Sequence, residues 1–337
     1  MKKILFITQK RKDAIWIVDD SVKKELKKID HPFDFLEIHE KWKWALNIIK
    51  NYIRNFFLLR KTCFKYDTLY FTWENPYVIF VRVVYWKKKI VMTVHHVEDY
   101  WWKSIVWKLM IKSTDKLIAI SNFTKDQLSW IWAKEKDIFI NYNWISDIYY
   151  PEPIKDFTDY QYILYVWTEV PRKNTDLLLE VFAEVHKKYP KLKLVKIWKS
   201  WFEEDKVRFD NKVKELRLDD YVIIIRNFIE DDELRKWYSN ALCYISLSKL
   251  EWFWLTIPEA MACWCPVIAS NIWPFREICD NEDLIVNHQN KEDIIDKILK
   301  YLSDEKYRKD LSNYWKKRSS LFDWWKNAEN LLRIFLR

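Results

Sequence analysis

Two glutamates eight residues apart, Glu251 and Glu259, lie in a segment whose pattern indicates a strand, a loop and then a helix. The strand ends near Ser248 and the helix begins around Thr256, where Pro258 suits a first turn whose N–H groups lack helical partners. Such a helix N-terminus favours a bound diphosphate, and carboxylates beside it can accept hydrogen bonds from sugar or ribose hydroxyls. The spacing alone favours a plainer interpretation, in which the helix dipole stabilises Glu259 and Glu251 is merely solvated.

A basic pair, Arg172 and Lys173, follows the apolar run YILYV in the second half of the chain. Taken by itself, this pair is most simply a solvated surface loop. The cysteines of the chain have no paired metal-ligand spacing.

The elements that would position these residues alternate along the chain, short apolar runs being followed by longer amphipathic ones. This alternation is typical of βα units and parallel sheets. The predicted strands are KILFIT, DFLEI, TLYFT, KIVMTV and KLIAIS in the first half, and YILYV, LKLVKI, YVIIIRN, ALCYISLS and PVIAS in the second. Helical patterns cover residues 175–188 and 206–216, among others. We therefore predict an α/β fold of two doubly wound domains, with ligands at the carboxyl ends of the strands.

The composition is globular, with 50% hydrophobic and 32% charged residues in 337, and excludes a disordered or collagen-like chain. Glycine is absent and tryptophan occurs 22 times. Average usage of about 7% predicts roughly 24 glycines in a chain of this length. The near match of these numbers suggests that tryptophan stands where many glycines would be expected.

The net charge of +9 lies in the first half of the chain. Residues 1–150 hold 27 Lys/Arg against 17 Asp/Glu, whereas residues 151–337 hold 31 against 32. Residues 41–65 contain seven basic and no acidic residues, with apolar residues at helical spacing. Such a helix can lie on an anionic membrane surface, and a core-facing helix with a solvated basic face is equally consistent with the pattern. No recognition motif for nucleic acid accompanies the basic stretch, so we expect no nucleic-acid partner.

The N-terminal sequence MKKILFITQKRK has too short an apolar run for a signal peptide and is typical of a first buried strand. No apolar run reaches the length of a membrane span, and the odd number of cysteines is typical of free thiols. We expect a cytoplasmic protein that can also lie on the cytoplasmic face of a membrane.

The motifs together resemble a known family. The pattern E-x-F-x-L-x-x-x-E-A-M-A-C-x-C-P-V-I-A-S over 251–270 resembles the donor-site motif of retaining glycosyltransferases of family 4, which have the GT-B fold of two Rossmann-like domains facing across a cleft. Similar landmarks occur at 93–96, 117–128, 138–151, 165–182, 196–201 and 322–332. Tryptophan stands at the family's glycines in these motifs, at Trp144, Trp167, Trp198, Trp201, Trp252, Trp254, Trp264 and Trp273. By this resemblance we expect an acceptor-side domain over 1–152, a nucleotide-sugar-binding domain over 153–321, and a closing helix over 322–337 that packs back on the first domain.

The resemblance implies a role for each matching residue. Arg172 and Lys173 match the pair that binds the donor diphosphate, although many relatives also have Arg where Thr168 stands. Glu251 matches a glutamate near the donor sugar, and Glu259 one that holds the ribose. The loop whose amides approach the sugar and phosphates corresponds to Phe253, Leu255 and Thr256. His95 matches a histidine near the reacting carbon, with a buried structural histidine as the alternative.

The implied reaction moves a sugar from a UDP-, GDP- or ADP-sugar to a hydroxyl of a glycan, lipid or small-molecule acceptor, with retention. It would serve glycan or glycolipid synthesis. By the same resemblance we expect no metal site and no cofactor, and the lack of any Asp-x-Asp sequence is consistent with a metal-independent enzyme of this fold. Two rivals are a non-catalytic module of the same fold that binds membrane surfaces or anions, and a nicotinamide-dependent Rossmann oxidoreductase. Large indoles at glycine positions of a phosphate loop obstruct backbone approach and disfavour positive φ, so we expect weak donor binding or poor folding from the chain as written.

Overall fold

The computed structural model describes residues 2–9, 31–38, 45–95, 97, 103–251 and 255–336. The chain divides into two compact units, one formed by residues 1–144 with 324–337 and the other by residues 145–323. We call them unit 1 and unit 2.

Unit 1 contains a six-stranded parallel sheet in the order β2-β1-β3-β4-β5-β6. Its strands are β1 (Ile4–Gln9), β2 (Phe33–Ile38), β3 (Thr68–Phe71), β4 (Lys89–Val94), β5 (Lys116–Ala119) and β6 (Ile138–Ile140). Its helices among the described residues are α1 (Ala45–Thr62), α2 (Tyr77–Val84), α3 (Lys103–Lys112) and α4 (Asn122–Trp130). The central strands are buried along their length because helices cover a parallel sheet on its faces, which is why they read as unbroken apolar runs.

Unit 2 repeats the architecture with a second parallel sheet in the order β12-β11-β10-β7-β8-β9. Its strands are β7 (Tyr162–Val166), β8 (Lys193–Ile197), β9 (Val222–Ile225), β10 (Cys243–Ser246), β11 (Val267–Ser270) and β12 (Ile285–Val286). Its helices are α5 (Thr175–Lys188), α6 (Glu203–Glu215), α7 (Asp231–Asn240), α8 (Thr256–Ala262), α9 (Trp273–Cys279), α10 (Lys291–Ser303) and α11 (Glu305–Ser319). The predicted doubly wound α/β architecture is confirmed in each unit.

The last helix, α12 (Trp324–Leu336), groups with unit 1. The ammonium groups of Lys89 and Lys116 donate hydrogen bonds to its final carbonyls, at 2.8 Å to Phe335 and 2.7 Å to Ile334. The Phe335 ring packs edge-on against Phe6 of β1. These cations satisfy carbonyls that have no partner within a helix end, so α12 is fixed to the sheet of unit 1.

Helix termini follow local chemistry closely. Helix α6 begins at Glu203, three residues before the predicted start at 206, because three acidic residues occupy its first turn and favour the positive end of the helix dipole. Helix α5 begins and ends where its periodicity predicts.

The sequence gives weaker signals for β6 and β12, which have only three and two residues and were not predicted.

Four tryptophans among the described residues have backbone conformations that favour glycine. Trp132 and Trp264 have φ of 68° and 60°, and Trp167 and Trp198 have φ of 143° and 114°. Trp264 occupies the first position after the cap of α8: its N–H bonds to Met261, and the next N–H bonds to Ala260. This is the Schellman pattern, whose left-handed residue is usually glycine.

The remaining described tryptophans of the predicted glycine set are Trp144, Trp201 and Trp273. They do not have positive φ, so their backbone does not require glycine. Trp252 and Trp254 lie outside the described residues.

Candidate functional site

The basic pair of unit 2 lies in a short turn directly after β7. Residues 171–173 form one turn of 3-10 helix, and Asn174, in the left-handed conformation, connects it to α5. The Lys249 N–H donates to the Arg172 carbonyl at 2.8 Å, which fixes the loop after β10 against this turn. Since β7 and β10 are paired in parallel, their carboxyl ends bring both loops to one edge of the sheet.

Glu251 joins the two cations. Its Oε1 lies 2.6 Å from the Lys173 Nζ and its Oε2 lies 2.9 Å from the Arg172 guanidinium. Lys173 and Glu251 are almost completely buried, whereas about a third of Arg172 is exposed, at 32%. The alternatives of a solvated Glu251 and a solvated basic loop are therefore wrong for Glu251 and Lys173.

Burial lowers the pKa of Lys173 to about 7, a change that Arg172 reinforces and the Glu251 carboxylate opposes. The Lys173 side chain therefore changes between its ammonium and amine forms near neutral pH. An anion that displaces Glu251 and contacts Lys173 would favour the ammonium form and raise its pKa. The protonation of Lys173 is thus sensitive to any anion that binds beside it.

Glu259 lies in the first turn of α8, as predicted. The Tyr238 hydroxyl donates to its Oε2 at 3.1 Å. Burial and the neighbouring Asp231 raise the pKa of Glu259 to about 8, while the Tyr238 hydrogen bond opposes the shift. A carboxyl group with this pKa is mostly protonated at neutral pH, so it can donate as well as accept a hydrogen bond.

The loop expected to approach the donor is only partly described. Thr256 is buried, and its hydroxyl lies 2.6 Å from the Tyr244 hydroxyl of β10. Leu255 precedes it at the cap of α8. Phe253 lies outside the described residues.

A second buried ion pair occupies the same edge of the sheet and was not predicted from the sequence. Lys196, in β8, lies 2.5 Å from the Glu169 carboxylate just after β7, and both side chains are completely buried. The Ser200 hydroxyl also donates to Glu169, at 3.0 Å, and burial lowers the pKa of Lys196 to about 8. A lysine within the apolar run LKLVKI is the signal that could have predicted this pair, because an interior lysine needs a buried partner.

Aromatic rings lie beside this ion pair. The indoles of Trp167 and Trp198 are stacked with ring centroids 5.1 Å apart, and Trp201 contacts Trp167 edge-on at 5.7 Å. These residues follow β7 and β8, where a parallel sheet of this class binds its ligand. Indole rings therefore occupy the carboxyl edge of the sheet at positions where the family motif has glycine.

His95 lies in unit 1, where it follows β4 and is buried. Its ring Nε2 lies 3.0 Å from the Thr72 carbonyl, and its backbone N–H donates to the Glu74 carboxylate at 3.0 Å. The histidine also lines a small pocket at the carboxyl ends of the unit 1 strands. The other polar lining residues are Tyr70, Thr72, Thr93, Asn141, Tyr142 and Asn143, so the described part of the lining contains no Lys, Arg, Asp or Glu.

Comparison with known proteins identifies the family. The profile described as "Glycosyl transferases group 1" matches residues 150–318, which is half of the chain and nearly all of unit 2. The chain belongs to this family. The GT-B-like fold is shared with solved glycosyltransferases, for example the Anabaena protein Alr3699/HepE in complex with UDP and glucose, at a TM-score of 0.77 and 13% identity over 99% of both chains.

Two curated relatives share part of the sequence. An uncharacterized glycosyltransferase of Methanocaldococcus jannaschii is 26% identical over 68% of this chain and 61% of its own length. The serotype-specific mannosyltransferase WbdA of Escherichia coli is 27% identical over 52% of this chain and 22% of its own length. The matched region is therefore less than two thirds of either relative.

Membership of this family removes the oxidoreductase hypothesis. Within the described part of the chain, no helix has both the length and the apolar character needed to cross a membrane. The same residues hold no cluster of His, Cys, Asp and Glu suited to a metal ion.

Proposed function

We propose that the chain is a retaining glycosyltransferase that moves a sugar from a nucleoside-diphosphate sugar to an acceptor hydroxyl in glycan or glycolipid synthesis. The observation that carries the proposal is the cluster of Arg172, Lys173 and Glu251 at the carboxyl edge of the unit 2 sheet, within the region that matches the family. A buried lysine beside a partly exposed arginine is suited to a diphosphate, whose negative charge increases as it departs.

Each predicted residue has a role in this proposal. Lys173 and Arg172 bind the diphosphate, and Glu251 positions both cations and meets hydroxyls of the donor sugar. Glu259 holds the ribose, with Tyr238 fixing its carboxyl group. The remaining predicted donor contacts, from Phe253, Leu255 and Thr256, stay predictions, as does the contact of His95 with the sugar.

The reaction breaks the bond between the anomeric carbon and the diphosphate oxygen and forms a bond from that carbon to the acceptor oxygen. The acceptor attacks on the face of the leaving group, and its hydroxyl proton passes to the departing diphosphate oxygen. The cations of unit 2 stabilise that oxygen without a metal ion. The small pocket of unit 1 supports a neutral acceptor group, because its described polar lining consists of hydroxyl, amide and imidazole groups suited to sugar hydroxyls.

The identity of the nucleobase and of the sugar in the donor is the most specific part of the proposal. UDP accompanies the Anabaena protein of the same fold, and the Escherichia coli relative is named a mannosyltransferase. UDP-, GDP- and ADP-sugars are therefore all candidates to test.

The test is a binding screen of the three nucleotide sugars by calorimetry, with NAD⁺ as a negative control. It uses the full chain and a variant with Trp167→Gly and Trp198→Gly, because those indoles occupy the expected donor edge. We expect the variant to bind one nucleotide sugar at least about tenfold more tightly, since each indole obstructs the approach of backbone to phosphate. Lys173→Met should abolish that binding, and Lys187→Met, on the exposed face of α5, should leave it unchanged. Binding that is insensitive to Lys173→Met would contradict the assigned site, and a variant that binds no nucleotide sugar would favour the non-catalytic module.

A further inference from the structure

Helices α1, α2 and α3 of unit 1 form one layer on the same face of the sheet. The chain passes from β2 to β3, β4 and β5 in one direction across the sheet, and right-handed crossovers place successive helices on a single side. Neighbouring helices touch directly: the rings of Phe56 and Phe80 lie 4.2 Å apart, and Arg82 donates to the Ser113 carbonyl at 3.0 Å. The outer surfaces of the helices are therefore parts of one layer.

Large apolar side chains lie exposed on the outer side of this layer. Phe57 is 60% exposed and Val83 is 75% exposed, whereas Leu59 and Val81, on the inner side, are completely buried. The other exposed large apolar residues of these helices and the turns that follow them are Ile53, Phe64, Val84, Trp86, Ile105 and Leu109. This outer surface is rich in aromatic and aliphatic groups that the described residues of unit 1 do not cover. Exposed apolar patches of this kind are typical of sites that bind a membrane or another molecule.

The same surface is strongly cationic. No Asp or Glu occurs in residues 45–65, 77–89 or 103–112. Its exposed cations are Arg54, Arg60, Lys61, Lys65, Lys87 and Lys112. The nearby acids Asp67 and Asp115 are engaged locally, Asp67 with the Lys3 N–H and Asp115 with Arg82 and the Ile90 N–H.

From this juxtaposition we propose that the outer face of α1, α2 and α3 docks unit 1 on an anionic lipid bilayer. Helices that present exposed aromatic residues among cations lie in the interface of a bilayer, with rings among the acyl chains and cations at the headgroups. A second copy of the chain is a poor occupant, because pairing this face with itself would bring cations together without any acidic partner. The proposal extends the basic stretch of residues 41–65 to two further helices. It does not depend on the donor chemistry.

The test measures co-sedimentation of the full chain with vesicles of phosphatidylcholine, with and without phosphatidylglycerol. We expect binding only to the anionic vesicles, weakening with salt. A triple variant with Arg54→Gln, Lys61→Gln and Lys65→Gln should bind about a hundredfold more weakly, because each cation contributes about fivefold. A matched control with Lys187→Gln, Lys188→Gln and Lys191→Gln removes the same charge from unit 2 and should bind like the parent chain.

A second variant tests the apolar contribution. Phe57→Ser with Phe64→Ser should weaken binding about tenfold or more, since both rings leave water on docking. Unchanged thermal unfolding would show that these exposed substitutions preserve the fold. Equal binding by all variants, or equal losses in the unit 2 control, would overturn the proposal. So would a parent dimer, in the absence of lipid, that Phe57→Ser with Phe64→Ser converts to a monomer.

Discussion

Substitution of Trp264 offers a sharp test of whether tryptophan occupies glycine positions in this chain. Its φ of 60° and the two hydrogen bonds of the Schellman pattern require a left-handed residue after α8. A residue with a Cβ loses about 1–2 kcal/mol in this conformation, and glycine does not. We therefore expect Trp264→Gly to be about 1–2 kcal/mol more stable to unfolding than Trp264→Ala, since both remove the same indole.

The comparison with alanine is needed because the indole has favourable contacts of its own. Lys316 lies 4.9 Å from the ring centroid of Trp264, a contact worth about 0.5–1 kcal/mol at an exposed site. Relative to the parent chain, the net gain from Trp264→Gly is therefore about 1 kcal/mol, or about 2–4 °C in Tm for a domain of this size.

The assay is chemical denaturation of both variants, with a control pair at Lys309, an exposed residue within α11. At Lys309 the order should reverse, with glycine about 1 kcal/mol less stable than alanine, because a helix interior disfavours glycine. If alanine were the more stable residue at position 264 as well, the backbone there would not favour glycine, and the reasoning would be refuted.

Three further predictions concern the buried charges of unit 2. The pKa of Lys173 is lowered to about 7 and a bound diphosphate favours its ammonium form, so above that pH the protein takes up a proton when the donor binds. The donor Kd should therefore rise towards tenfold per pH unit above pH 7. A Kd that stays flat from pH 7 to about 9 would contradict this assignment. Glu251→Gln removes the carboxylate that raises the Lys173 pKa, so calorimetry should find the onset of this loss at a lower pH than in the parent chain. Lys196→Met should destabilise unit 2 by about 3 kcal/mol, because it removes the closest cation from the buried Glu169 carboxylate, which keeps Arg226 at 3.7 Å and the Ser200 hydroxyl at 3.0 Å. The double variant with Glu169→Leu should recover most of that loss in urea denaturation, and a double variant as unstable as the single one would contradict the pairing.

Much of the fold could be predicted because the physical signals are local. All ten predicted strands are present, since strands buried on both faces of a parallel sheet need continuous apolar residues. Helix α6 begins before its predicted start, because the hydrophobic periodicity does not reveal the acidic first turn with which the helix begins. Two-residue and three-residue strands such as β12 and β6 are defined by their partners in the sheet and leave little periodicity in the sequence.

The candidate site was predictable in its residue types and less so in its contacts. Spacing and motif identified Arg172, Lys173 and Glu251. Nothing in the local sequence indicates that Lys173 and Glu251, 78 residues apart, form an ion pair of 2.6 Å. The pairing of Lys196 with Glu169 was missed because it depends on two adjacent strand ends. Tertiary proximity of this kind follows from the order of strands in the sheet, which a single sequence does not specify.

The most direct test of the central claim is the anomeric configuration of the first product. Proton NMR would follow the chain with Trp167→Gly and Trp198→Gly while it consumes an α-linked nucleotide sugar in water or with a glycan acceptor. We predict release of the nucleoside diphosphate together with a sugar product that is initially the α-anomer, before mutarotation, and loss of both signals with Lys173→Met. A first product in the β-configuration would contradict retention. The absence of nucleoside diphosphate release by a variant that binds the donor would contradict sugar transfer itself.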